Sequence, residues 1–129
     1  MTPKEQQRTS RVVWFEIPVA DLDRATRFYE AVLGVTLRRM AEGPNPIAVF
    51  PYETPAVNGC LALTDRNRPS ATGSRVYLNA DPSLDAALER AAANGGTLVT
   101  PRTALPPGLG YYAAIADTEG NTTGLHAIS

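Results

Sequence analysis

The chain has 129 residues, 43% hydrophobic and 19% charged, the size and composition of one globular domain or two intimately packed half-domains. Its 12 Lys and Arg against 13 Asp and Glu leave a net charge of −1, so neither nucleic acid nor an anionic membrane is an expected partner. The single Cys60 has no partner for an intramolecular disulfide, and the polar residues 1–11 lead into no apolar stretch. Together these predict a cytoplasmic protein with a loose N-terminal tail, no signal peptide and no membrane span.

Residues 12–19 (VVWFEIPV) predict a strand by their β-branched and aromatic content. Pairing should weaken at Pro18, which has no N–H to donate. Leu22, Ala25, Phe28, Tyr29, Val32 and Leu33 recur at helical spacing, with Asp21 or Asp23 as cap and Gly34 as stop. Three strands are expected next, over 35–40, 47–52 and 60–64, separated by turn-rich stretches. Residues 65–74 (DRNRPSATGS) read as a polar linker. The order then repeats. A strand over 75–79 precedes a helix over 82–94, with Asp81 as N-cap, Pro82 at its first position and Gly95-Gly96 as its stop. A strand over 97–100, a Pro/Gly loop over 101–110, a strand over 111–116, a turn at 117–121 and a strand over 122–128 complete the chain.

Leu22-Asp23-x-Ala25 maps onto Leu84-Asp85-x-Ala87, and Gly34 onto Gly95. The repeat therefore makes two copies of one β-α-β-β-β unit, 12–64 and 75–129, each too small to bury its own face alone. The expected class is α+β, each unit a mixed sheet with a helix on one side. A cleft between the units is where function should be sought.

Two stretches carry a resemblance: Phe15-Glu16-Ile17-Pro18-Val19-Ala20-Asp21-Leu22-Asp23-Arg24-Ala25 with Phe28-Tyr29 and Val32-Leu33-Gly34 behind it, and Asp117-Thr118-Glu119-Gly120-Asn121 before the last strand. They resemble the vicinal oxygen chelate superfamily, which includes glyoxalase I, bleomycin-resistance proteins, fosfomycin-resistance enzymes and extradiol dioxygenases. The resemblance implies two βαβββ modules forming a cup-shaped mixed sheet, and for a chain of this size a homodimer. It also implies a divalent metal held at four strand positions by His, Gln or Glu. Those positions fall here on Trp14, Ala62, Arg75 and Gly124. Such side chains do not hold a divalent ion, so neither a metal nor any other cofactor is expected.

Strand alternation turns Trp14, Glu16 and Pro18 toward the cup and Phe15, Ile17 and Val19 under the helix. In the second half Arg75, Tyr77 and Asn79 face the cup, together with one of Tyr111 and Tyr112, taken as Tyr112. Glu16 is either a general base or anchor for a cationic ligand, or it pairs with Arg75 and closes the cup. His126, the sole histidine, shares a strand face with Gly124 and could shuttle a proton or sit at the rim. Residues 100–110 could be a lid with Arg102 for an anionic group, or a stiff connection. Cys60 reads as a small buried residue.

The expected function is a metal-free protein that binds a small organic molecule against Trp14, Glu16, Tyr77, Asn79 and Tyr112. One alternative is a metal-independent isomerase or lyase with Glu16 as base, Arg75 stabilising negative charge and His126 as acid. Another is an interaction or regulatory module whose cup is merely packed.

Overall fold

A computed structural model describes residues 10–42, 44–53 and 56–129. In chain order its elements are β1 (Trp14–Pro18), α1 (Leu22–Leu33), β2 (Arg38–Glu42), β3 (Asn45–Val49), β4 (Asn58–Ala62), β5 (Tyr77–Asn79), α2 (Leu84–Ala93), β6 (Thr97–Ala104), β7 (Tyr111–Ala116) and β8 (Thr122–Ala127). Each half is βαβββ and builds its own four-stranded mixed sheet, ordered β1-β4-β3-β2 and β5-β8-β7-β6. β1 runs parallel to β4 and β5 parallel to β8, while the remaining neighbours are antiparallel. Among the described residues neither helix is long and apolar enough to cross a membrane.

α1 forms where the spacing predicts. Asp21 is extended and its carboxylate accepts the Arg24 amide at 3.0 Å, while Gly34, at φ 66°, ends the helix in the left-handed region. Leu22, Ala25, Thr26, Phe28, Tyr29 and Val32 form its buried stripe. The second helix starts later than Asp81 and Pro82 predict. The Asp81 carboxylate is taken by the Ile128 amide at 2.8 Å, and Ser83 instead caps α2 by accepting the Ala86 amide at 3.2 Å.

β2, β3 and β4 lie two or three residues from their expected positions. Glu42 pairs with Asn45, so the hairpin draws turn-forming residues into its ladder. β6 runs to Ala104, four residues beyond the expected strand and into the predicted lid. Pro101 is tolerated because β6 is an edge strand with irregular register.

One core serves both halves. Phe28, Tyr29 and Val32 of α1, Leu84, Ala87 and Ala91 of α2, and the inner faces of both sheets (Ile17 and Leu61; Leu78, Ile115 and Leu125) form a single apolar cluster. A half of some 55 residues would bury too little apolar surface to persist alone, and sharing the core removes that limit. Close approach is needed at Gly96, where a Cβ would lie 2.9 Å from the Phe28 ring. Arg90 of α2 fastens the helices together by donating to the Ala31 and Val32 carbonyls at 2.8–3.1 Å. These carbonyls end α1, whose last turn has no basic residue of its own.

The Asp117–Asn121 turn is the main polar lock between halves. Glu119, whose side chain has no exposed surface, accepts the Ala20 and Asp21 amides, both at 2.8 Å. It also receives the Arg24 guanidinium, at 2.7 and 3.0 Å, and the Thr118 hydroxyl at 2.9 Å. Burial opposes its charge, but the bonds from Arg24, the Asp21 amide, Thr118 and the Ala20 amide outweigh it and hold the carboxyl down to about 2. Asn121 donates to the Pro18 carbonyl at 2.8 Å. Beneath it, buried Tyr29 donates to Asp117 at 2.7 Å. With that proton committed, the Thr123 hydroxyl, 2.8 Å away, donates to the Tyr29 oxygen. Burial and then the Asp117 charge push the Tyr29 hydroxyl pKa well up, so it remains a donor.

Candidate functional site

Because the inner faces of both sheets pack on the shared core, the other faces point outward. In the first half Ile17 and Val19 are buried while Trp14 is 43% exposed; in the second, Leu78 is buried and Tyr77 is 49% exposed. The residues the sequence gathers into one cup thus lie on two separate surfaces of the chain. β1 and β5 are edge strands, and among the described residues neither pairs with a strand of the other half.

The outer face of the first sheet carries a groove of about 700 Å³ walled by Trp14, Arg38, Met40, Ile47, Val49 and Tyr52. Antiparallel pairing puts Arg38 beside Val49 and Met40 beside Ile47, so all four side chains share one face. Ile47, Cys60 and Ala62 form a small buried cluster on this face, with Val49 against it. Glu16 is half-buried on the same side of β1 and outside the groove wall. Among the described residues no ion pair joins Glu16 to Arg75, which lies exposed just before β5.

On the second sheet, Asn79, His126 and Tyr112 stand in register across β5, β8 and β7. Tyr77, Tyr112, His126 and Leu105 line a depression of about 480 Å³. Tyr77 and Tyr112 meet edge to face, with ring centroids 6.1 Å apart. Of the two adjacent tyrosines, Tyr112 turns outward, whereas Tyr111 packs on the core under the Arg102 guanidinium, 4.0 Å from its ring centre. Arg102 also pairs with Asp85 at 2.9 Å. Its charge is thereby engaged on the helix side, and the expected lid shrinks to the turn 105–110. His126 Nε2 lies 2.7 Å from the Leu109 carbonyl, which can only accept, so this nitrogen carries a proton and steadies that turn. The Asn79 carbonyl oxygen accepts the Asp81 amide at 2.9 Å, leaving its NH₂ outward.

A third cavity, about 490 Å³, joins these surfaces: it shares Phe50, Pro51 and Tyr52 with the first and Tyr77 with the second. Sequence reasoning missed Arg38, Met40 and Tyr52. Their alternation is readable only once β2 and β3 are in register.

The strand register also revises one implied metal position. Trp14 lies opposite Asn58, and Ala62 lies opposite Pro18 at the far end of β1. In the second half Tyr77 lies opposite Gly124, so Arg75 and Gly124 are offset by two residues. Carried across the repeat, that offset relates Trp14 to Cys60 rather than to Ala62. The donor set is then Trp14, Cys60, Arg75 and Gly124, with a single thiol among them. A Cβ on Gly124 would lie 2.2 Å from the Tyr77 ring, so that ring fills the space a ligating side chain would need. Among the described residues no three His, Cys, Asp or Glu side chains converge as a metal site requires. These residues do not fit a divalent ion.

Two βαβββ modules, each with a four-stranded mixed sheet, make this a glyoxalase-like fold. The profile of the Glyoxalase/Bleomycin resistance protein/Dioxygenase superfamily matches residues 11–125, and the chain belongs to that superfamily. It is 31% identical over 123 residues to a glyoxylase-like domain-containing protein of Didymella fabae, covering 88% of each chain. It is 32% identical over 114 residues to the putative glyoxylase CFP32 of Mycobacterium bovis, covering 87% of this chain but only 42% of that protein. The glyoxalase/bleomycin resistance protein of Albidiferax ferrireducens T118 superposes with a TM-score of 0.66 at 24% identity, covering 90% and 97% of the two chains. Glyoxalase I of Zea mays gives a TM-score of 0.68 at 20% identity, covering 90% of this chain and 45% of that one.

Proposed function

We propose that this chain is a metal-independent member of its superfamily that binds a small, partly aromatic organic molecule on its outer sheet faces. The observation that carries this reading is the residue set at the implied metal positions, Trp14, Cys60, Arg75 and a Gly124 overlaid by Tyr77, together with an open, aromatic-walled groove on the first sheet. Trp14 and Tyr52 offer stacking surfaces, and Ile47, Val49 and Met40 an apolar floor. Metal analysis of gently purified protein should find less than stoichiometric Ni, Zn, Fe or Mn; a full equivalent would overturn the metal-free reading. A bound planar ligand should raise the thermal midpoint of the protein, and Trp14→Ala should abolish that rise while leaving the unliganded midpoint within a few degrees. Equal ligand stabilisation in the variant would remove Trp14 from the site.

The two half-cups are completed by a second copy. Unpaired β1 and β5 edges, exposed Trp14 and Tyr77, and the distribution of site residues over two faces all support a homodimer in which the first sheet of one chain faces the second sheet of its partner. Sedimentation should therefore give twice the 13.8 kDa chain mass, and a monomer at micromolar concentration would contradict it. An isomerase or lyase built on Glu16, Arg75 and His126 is less well supported, because these residues do not share a cavity within the chain.

A further inference from the structure

Resting on the binding reading above, we infer that the ligand is an organic anion: a flat apolar body with a carboxylate, sulfonate or phosphate group, whose charge is received by Arg38. Arg38 stands on the outer face of β2, in the wall of the 700 Å³ groove that also holds Trp14, Met40 and Tyr52. Two other basic residues of the first half are engaged elsewhere. Arg39, next in the strand, turns to the opposite face and pairs with Asp23, and Arg24 is held by Glu119. Among the described residues no carboxylate lies within ion-pairing distance of Arg38. Among the described residues that line the groove with it, none carries an acidic side chain. Glu16, the carboxylate nearest in β1, lies outside the groove wall.

Arg38 is exposed at the groove wall beside apolar and aromatic side chains, and among the described residues no ion pair occupies it, which leaves its guanidinium open to an incoming anion. Its planar fork suits the paired oxygens of a carboxylate or an oxyanion. The groove therefore matches its ligand in two separable ways, apolar contact from Trp14, Tyr52 and the β3 side chains, and charge from Arg38. A cationic ligand in this groove is disfavoured by Arg38.

Trp14 is the only tryptophan in the chain and forms part of the groove, so its fluorescence reports occupancy directly. The test titrates the full-length protein with two probes of similar aromatic body, anionic 8-anilinonaphthalene-1-sulfonate and uncharged N-phenyl-1-naphthylamine. Both should quench Trp14, the sulfonate binding at least tenfold more tightly at low salt. Arg38→Gln should weaken the sulfonate about tenfold and leave the uncharged probe unchanged, Arg38→Lys should recover part of the loss, and added salt should weaken only the sulfonate. Equal affinity of the two probes for the wild-type protein would overturn the inference while sparing the binding reading. So would an Arg38→Gln variant that affects both probes alike or neither. Failure of both probes to quench Trp14 would overturn the binding reading and the inference together.

Discussion

Replacing Glu119 by alanine should lower stability by about 3 kcal/mol and, with it, the contact between the halves. The substitution leaves the Ala20 and Asp21 amides without their acceptor and strips Arg24 of its partner. Removing one side of a well-bonded ion pair is among the more damaging surface-to-core changes. The same residue predicts an acid-labile fold. With the carboxyl held to about 2 in the folded chain against an ordinary 4.5, folding is favoured wherever the group is ionised in both states. That contribution is complete above pH 4.5, declines as the pH falls toward 2, and is absent below. Its ceiling is about 3 kcal/mol at about 1.4 kcal/mol per pH unit, reduced because the Arg24 side chain is 46% exposed and partly screened by solvent. Denaturant unfolding between pH 5 and 2 should show this slope in the wild-type protein and a flatter one in Glu119→Gln. Parallel slopes would mean that another carboxylate governs acid unfolding.

The second large effect is expected at Gly59. β4 pairs with β1 there, and the Phe15 ring lies across the glycine, so an added Cβ would come 2.3 Å from the Phe15 carbonyl and 2.5 Å from its ring. A backbone atom cannot rotate away, so Gly59→Ala must push β1 off β4 and disturb the Phe15–Phe50 contact, whose ring centroids are 5.8 Å apart. Overpacking of this kind costs about 3 kcal/mol, which for a chain this long is a fall of roughly 10 °C in thermal midpoint. Because β1 carries Trp14, ligand-induced quenching should weaken as well. A midpoint within about 2 °C of wild type would show that the strands have slack. Gly124→Ala is the informative contrast. There the obstruction is the half-exposed Tyr77 side chain, which can swing out, so stability should fall less than at Gly59.

At two of the implied metal positions the strands present aromatic rings. At Gly124 the ring of Tyr77 takes up space that a ligating side chain would use, and at Trp14 an indole replaces a donor with a stacking surface.

What the sequence by itself determined is what depends on near neighbours. The bounds of α1 and its Gly34 stop were legible, and its cap was narrowed to Asp21 or Asp23, because helix bonds and caps close within four residues. The inward and outward sides of β1 and β5 were legible because alternation is a property of one strand. Only the tertiary structure decided which residues of different strands stand level, and so moved the fourth-strand position from Ala62 to Cys60 and brought Arg38 into the groove. It also decided that β6 continues through Pro101 and that Arg102 is spent on Asp85 and Tyr111. It gave the Asp117–Asn121 motif its role as the lock on Ala20, Asp21 and Arg24. Each of these contacts joins residues far apart in the chain, and no local pattern encodes the partner. The largest change was to the expected cleft between the units: the two sheets share one core on their inner faces, so the outward residues of the two halves stand on separate surfaces of the chain.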